Sequence, residues 1–190
     1  VTDIITDLAL ETLESRDKDK PFAMLVHHKA PHRNWMPNLK YLGTFKDRKF
    51  PLPETFYDDY STRTAAARES DMRIDDMFLT WDMKLRPDDI EQETGSGGSG
   101  QVSGMIRDSY REWMNDEQRE AWEAYYDQIS ADFRKANLSG NALLEWKFQR
   151  YMEDYLGVLL SVDDNIGRIL DYLDQEGLTQ NTIVIYTSDQ

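Results

Sequence analysis

Two short polar clusters contain the residues of this chain best suited to chemistry. All three histidines, His27, His28 and His32, fall in the stretch His27-His-Lys-Ala-Pro-His-Arg-Asn-Trp35, together with Lys29 and Arg33. An imidazole exchanges protons near neutral pH, and ammonium and guanidinium groups bind oxyanions. Such a cluster looks like an anion site. The second cluster is Ser188-Asp189-Gln190. Its carboxylate and amide offer oxygen atoms to a hard cation, or hydrogen bonds to a substrate. A chain ending on such a signal is expected to belong to a longer protein. Each residue also has a plainer reading. Loop histidines are often structural or solvated, Lys29 and Arg33 could be solvated charges, and an aspartate after a strand often caps the next helix.

What must position these clusters is a pair of strands. Residues 22–26 (Phe-Ala-Met-Leu-Val) and 182–187 (Thr-Ile-Val-Ile-Tyr-Thr) are short apolar runs that read as buried strands. Each delivers its polar residues at its carboxyl end. In a parallel sheet those ends share one edge, where open α/β sheets bind ligands. His32 and Asp189 are therefore expected at one cleft. A first helix is expected from Thr2 or Asp3 to about Glu14, with Ile4, Ile5, Leu8 and Leu13 on one side. Another is expected over 60–78, a third from Asn115 or Asp116 through Phe133, and a fourth from Ser139 or Asn141 to Leu173. The fourth carries Met152, Tyr155, Leu156, Leu159, Val162, Ile166, Ile169, Leu170 and Leu173 at steps of three and four, and Gly177 marks its end. Residues 82–104 read as a flexible loop or linker, with Gly95-Ser-Gly-Gly-Ser-Gly100 inside it, and 105–150 as a helical insertion. The fold class expected is α/β: part of a mostly parallel sheet flanked by helices, with further strands supplied by other segments.

Composition narrows the function classes. The 190 residues carry 36 Asp and Glu against 22 Lys and Arg, a net charge of -14. That field argues against nonspecific nucleic-acid binding and against docking on anionic lipid. One small anion in a locally basic pocket stays compatible with it, because screening confines most fields to about 8–10 Å. The absence of cysteine excludes disulfides, thiolate metal sites and a cysteine nucleophile within these residues. No run approaches the length of a membrane span. The adjacent carboxylates Asp75-Asp76 and Asp163-Asp164 fall in expected helices, where neighbours point about 100° apart and cannot grip one ion together. Asp58-Asp59 is read as the charge complement of a helix start.

The stretch from Lys20 through His32 to Trp35, together with the long helix, Gly-Leu turn and Asn-Thr-Ile-Val-Ile-Tyr-Thr-Ser-Asp-Gln running from Leu160 to Gln190, resembles the type I sulfatases. These are formylglycine-dependent sulfuric ester hydrolases of the alkaline phosphatase superfamily. The resemblance implies a partial sulfatase catalytic domain over 1–190. It matches His32 to the histidine that binds sulfate and assists leaving-group departure, and Asp189 and Gln190 to calcium ligands. Lys29, Arg33 and Trp35 are substrate-contact candidates without a secure counterpart. The family's Cys/Ser-x-Pro-x-Arg nucleophile motif and its other metal aspartates have no match here, so formylglycine would come from outside this chain, and this segment alone is expected to be inactive. The implied substrate is a sulfated carbohydrate, the Pro-His-x-x-Trp form resembling enzymes of glycosaminoglycan sulfates, and the implied location is periplasmic or extracellular. Two alternatives stand beside it. One is a phosphodiesterase or phosphonate monoester hydrolase of the same superfamily; the other is a noncatalytic binding relative.

Overall fold

The computed structural model describes residues 1–71, 73–90 and 111–188, with only the backbone of Asp89. The α-helices lying wholly within the described residues are α1 (Thr2–Ser15), the short α2 (Ala65–Arg68), α3 (Asp116–Ala136) and α4 (Gly140–Gln175). Single 3-10 turns lie at Leu39–Tyr41, Pro87–Asp89 and Thr179–Asn181.

The long helices begin and end where local chemistry dictates. Asn115 caps α3 reciprocally with Gln118: each side chain accepts the other residue's backbone N–H. Asn137 closes α3 in the left-handed conformation, φ 47°, and the chain reverses into α4. At the far end Gly177 turns with φ 67°, and Leu178 N–H returns to the Leu173 carbonyl at 2.8 Å. A side chain there would be strained, which is why glycine serves.

Helix α4 is the spine against which everything else is laid. Beyond the histidine loop the chain runs back along it: Asn38 N–H donates to Ser161 Oγ at 3.0 Å, Gln149 spans both backbone groups of Phe50, and Phe56 meets Phe148 edge-on at 5.2 Å. Close approach near Tyr41 requires Gly157, where an added Cβ would lie 3.1 Å from Pro37. Helix α1 docks on the distal half of α4 through polar groups. Asn165 Nδ2 donates to Asp3 at 2.7 Å, and Arg168 donates to Asp7.

The buried side of α4 differs from the apolar stripe that periodicity selects. Val162 and Leu173 are buried, but Leu170 is exposed and the other stripe residues are half-buried. The fully enclosed positions include Lys147, Arg150, Asp154, Ser161 and Asn165. Hydrogen bonding makes this possible, since buried polar groups are tolerated when paired. Lys147 Nζ donates to the Asp75 and Met77 carbonyls at 2.7 and 2.6 Å. Asp154 accepts from Lys84 Nζ (2.8 Å), Arg150 Nη2 (2.8 Å) and Tyr126 Oη (3.1 Å), joining three elements at one carboxylate. Burial pushes the Lys84 amine below its ordinary pKa, against the pull of Asp154. Burial also works against the Arg150 cation, yet Asp154 and Glu153 hold it above the usual range.

Three expectations fail for identifiable reasons. The helix over 60–78 reduces to α2, with Met72 outside the described residues. Asp58 and Asp59 each bind the backbone N–H two residues on, Tyr60 takes φ 58°, and Asp76 binds Arg73 N–H. Such local bonds compete with helix formation. The loop expected over 82–104 begins as core: Met83, Leu85 and Leu79 pack with Phe133, and Asp82 and Lys84 are buried beside them. Residues 91–104, including Gly95 to Gly100, lie outside the described residues. On α1, Thr6, Ala9 and Leu13 are buried, whereas Ile4 and Leu8 face out.

No strand is formed among the described residues. Residues 22–26 and 182–187 carry no ladder, and Leu25, Ile183, Val184, Ile185 and Tyr186 are all exposed. A run that is apolar on both faces suits a central strand, and a strand exists only with a hydrogen-bonded neighbour.

Asp154→Ala would leave Lys84 and Arg150 buried without their shared counter-charge. The expected loss is about 3–5 kcal/mol of folding stability, read from urea unfolding of the protein. A loss below about 1 kcal/mol would mean that this carboxylate does not organise the helices.

Candidate active site

The histidine stretch forms a tight turn on the surface beside α1 and α4. His32 N–H donates to the Lys29 carbonyl at 3.0 Å, and the Ala30–Pro31 and Arg33–Asn34 peptide bonds are both cis. This turn sorts the candidate residues into two groups.

His27, Lys29 and His32 are exposed. Among the described residues, the side chains of His27 and Lys29 make no hydrogen bond or ion pair with the rest of the molecule. His32 is oriented by one contact, its Nδ1 lying 2.6 Å from the Arg33 carbonyl oxygen. A carbonyl only accepts, so Nδ1 carries the hydrogen. In the neutral ring Nε2 is then an acceptor, and in the imidazolium it is the second donor. Proton exchange is thereby assigned to Nε2.

Arg33 and Trp35 turn inward. Arg33 grips Asp82 with two parallel bonds, Nε to Oδ1 at 2.6 Å and Nη2 to Oδ2 at 2.5 Å, and its guanidinium lies 4.1 Å from the Trp81 ring centre. Trp35 is buried edge-on against Tyr151, with centroids 4.7 Å apart. Both were substrate-contact candidates from sequence; here Arg33 ties the turn to the segment carrying Trp81 and Asp82, and Trp35 ties it to α4. His28 also faces inward, its Nε2 3.1 Å from Thr6 Oγ1 of α1.

Asp189 and Gln190 lie outside the described residues, so the approach of His32 to Asp189 has no geometry here. Among the described residues no group of three or more His, Asp or Glu could hold a metal ion. Two surface hollows lie away from the turn. One, of about 340 Å³, is lined by Lys40, Asp163, Asp164 and Arg168; the other, of about 750 Å³, lies between α3, α4 and Leu42. Sequence reasoning missed Asp82 and Trp81. A lone carboxylate inside the run Phe78-Leu-Thr-Trp-Asp-Met-Lys-Leu85 was the available signal, because a charge among apolar residues needs a partner.

The profile of the family described as Sulfatase matches residues 1–190. The chain is 46% identical over 192 aligned residues to an N-acetylglucosamine-6-O-sulfatase of Bacteroides thetaiotaomicron, covering 100% of this chain and 33% of that protein. It is 36% identical over 67 residues to the multifunctional alkaline phosphatase superfamily protein PehA of Trinickia caryophylli, covering 34% of this chain and 13% of PehA. Among solved structures, BT4656 in complex with its substrate D-glucosamine-2-N,6-O-disulfate superposes with a TM-score of 0.79 at 45% identity, over 93% of this chain and 34% of that one. The chain thus spans about a third of the length of these two relatives, the N-acetylglucosamine-6-O-sulfatase and BT4656.

His28 supplies a check on the placement of the turn. Burial lowers its pKa from the ordinary value of 6.5. A depressed folded value means that the unfolded chain binds more protons just below pH 6.5, so this contact weakens as pH falls through that region. An NMR titration of the His28 Cε1 proton is expected to give a midpoint below 6.5. A midpoint at or above it would place His28 in solvent, off α1.

Proposed function

The chain belongs to the sulfatase family, and from that membership we propose that its complete protein hydrolyses a sulfate ester on a glucosamine-type sugar. The observation that carries the reading is His32, held through Nδ1 at an exposed turn with Nε2 left to exchange a proton. The likeness to an N-acetylglucosamine-6-O-sulfatase along the whole chain supports the sugar sulfate as substrate class.

The chemistry follows from what sulfate transfer requires. Breaking the ester leaves a basic sugar alkoxide, and an acid placed at that oxygen lowers the barrier. His32, protonated at Nε2, is that acid in this reading, and the Arg33 carbonyl keeps the ring turned outward. Lys29, exposed three residues earlier, is a cation of suitable reach for a sulfate oxygen. Trp35 and Arg33 shape the turn from beneath. Asp189 and Gln190 together offer carboxylate and amide oxygens, a donor set that fits calcium. Calcium, when bound, would offset the negative charge on the sulfate, while formylglycine from outside this chain would supply the nucleophile. In keeping with the family resemblance, we propose a periplasmic or extracellular location for the complete protein.

A second reading draws on the partial likeness to PehA: a phosphoester hydrolase of the same superfamily. Sulfate and phosphate esters share their shape, so the same turn could serve either.

The test is turnover by the complete protein of N-acetylglucosamine-6-sulfate against bis(4-nitrophenyl) phosphate. Sulfate release is expected to dominate, and His32→Ala is expected to lower kcat by about 10²–10⁴. Preferred phosphodiester cleavage would establish the second reading, and an unaltered kcat would remove His32 from the reaction. Asp189→Ala is expected to reduce the calcium bound per molecule; full retention would strike that residue from the ligand set.

A further inference from the structure

Asp82 is almost fully enclosed, 1% exposed, and its carboxylate is engaged on every side. Besides the two bonds from Arg33, its Oδ2 accepts Phe78 N–H at 2.7 Å. The guanidinium it holds is also covered by the Trp81 ring and lies 5.6 Å from the Phe78 ring centre. Asn34 is tied to the same place, its Nδ2 donating to the Trp81 carbonyl at 2.8 Å. Arg33 is therefore fixed by its side chain and Asn34 by its amide. The carbonyl between them is the one that receives His32 Nδ1–H.

We propose that Asp82 is a positioning residue for His32, acting through the Arg33 fork to hold the carbonyl that sets the ring's tautomer and direction. This rests on the reading of His32 as the proton donor. The logic is mechanical. A single hydrogen bond on an exposed turn orients a ring only if the acceptor itself stays still. Arg33 alone could not keep it still, because a guanidinium on a flexible stem would sample many rotamers. A buried carboxylate, paired at two atoms with that guanidinium, removes the freedom. Nε and Nη2 of Arg33 are both engaged by Asp82.

The experiment is a double-mutant cycle in the complete protein with N-acetylglucosamine-6-sulfate. Asp82→Asn keeps the shape but removes the charge and one of the fork's acceptors. It is expected to lower kcat roughly 10–100-fold with KM nearly constant. Added to His32→Ala, it is expected to cost less than about twofold more, because a residue acting through His32 has nothing left to position. A loss that multiplies in full on top of His32→Ala would show a general structural role and overturn the proposal, as would an unchanged kcat or an effect confined to KM. If His32→Ala itself leaves kcat intact, the proton-donor reading falls, and the role of Asp82 with it. Should Asp82→Asn fail to fold, Arg33→Lys takes its place in the cycle. That variant keeps the charge, loses the fork, and is held to the same non-additivity.

Discussion

Asp154 receives three donors from three elements at the centre of the molecule: Lys84 from the segment before α3, Tyr126 from α3 and Arg150 from one turn earlier in α4. None of these groups reaches water to any extent. Ionised groups so enclosed are tolerated only when each meets its counterpart. The relative placement of the two long helices and the segment between residues 78 and 86 is accordingly specified by charge, whereas apolar contact alone would tolerate sliding. Lys147 does the same two turns away, reaching the Asp75 and Met77 carbonyls and pinning the start of that segment.

From this centre the order extends outward to the histidine turn. Lys84 Nζ also donates to the Asp82 carbonyl at 2.9 Å, and the Asp82 carboxylate holds Arg33. A continuous path of polar contacts joins the middle of α4 to the residue beside His32. The loop that carries the chemistry is short and exposed, yet its underside is part of the buried network. This resolves a tension in the composition: a chain of net charge -14 presents a basic turn because the Asp82 carboxylate holds the turn's arginine below while leaving Lys29, His27 and His32 above.

What could be read from sequence alone divides along the range of the interactions. The start of α3 at Asn115, the start of α4 after Ser139 and its stop at Gly177 are local events, written in neighbouring residues, and all are found. The helix expected over 60–78 failed because Asp58, Asp59 and Asp76 bind nearby backbone, a competition that apolar periodicity does not register. Residues 82–85 read as loop because Asp82 and Lys84 interrupt the apolar pattern; their partners, Arg33 and Asp154, are far away in sequence. In the candidate site, His32 and Lys29 were recognisable by type. That Arg33 and Trp35 point inward was not, since in a nine-residue loop only the tertiary partners Asp82, Trp81 and Tyr151 decide which side chain faces which way. Strand character at 182–187 is visible as composition, but a strand needs a hydrogen-bonded neighbour, and none pairs with it among the described residues.

Helix α4 runs unbroken for 36 residues, about 54 Å, and is anchored at two separated places. Its early part is keyed by Lys147, Gln149 and Asp154, its later part by Ser161, Asn165 and Arg168. One residue gained or lost between these anchors would rotate the later set by about 100° relative to the earlier one, taking it out of phase with α1. An inserted residue therefore has no room inside the spine. At the reversal around Asn137, by contrast, an added residue would change a turn and leave the phase of the helix untouched.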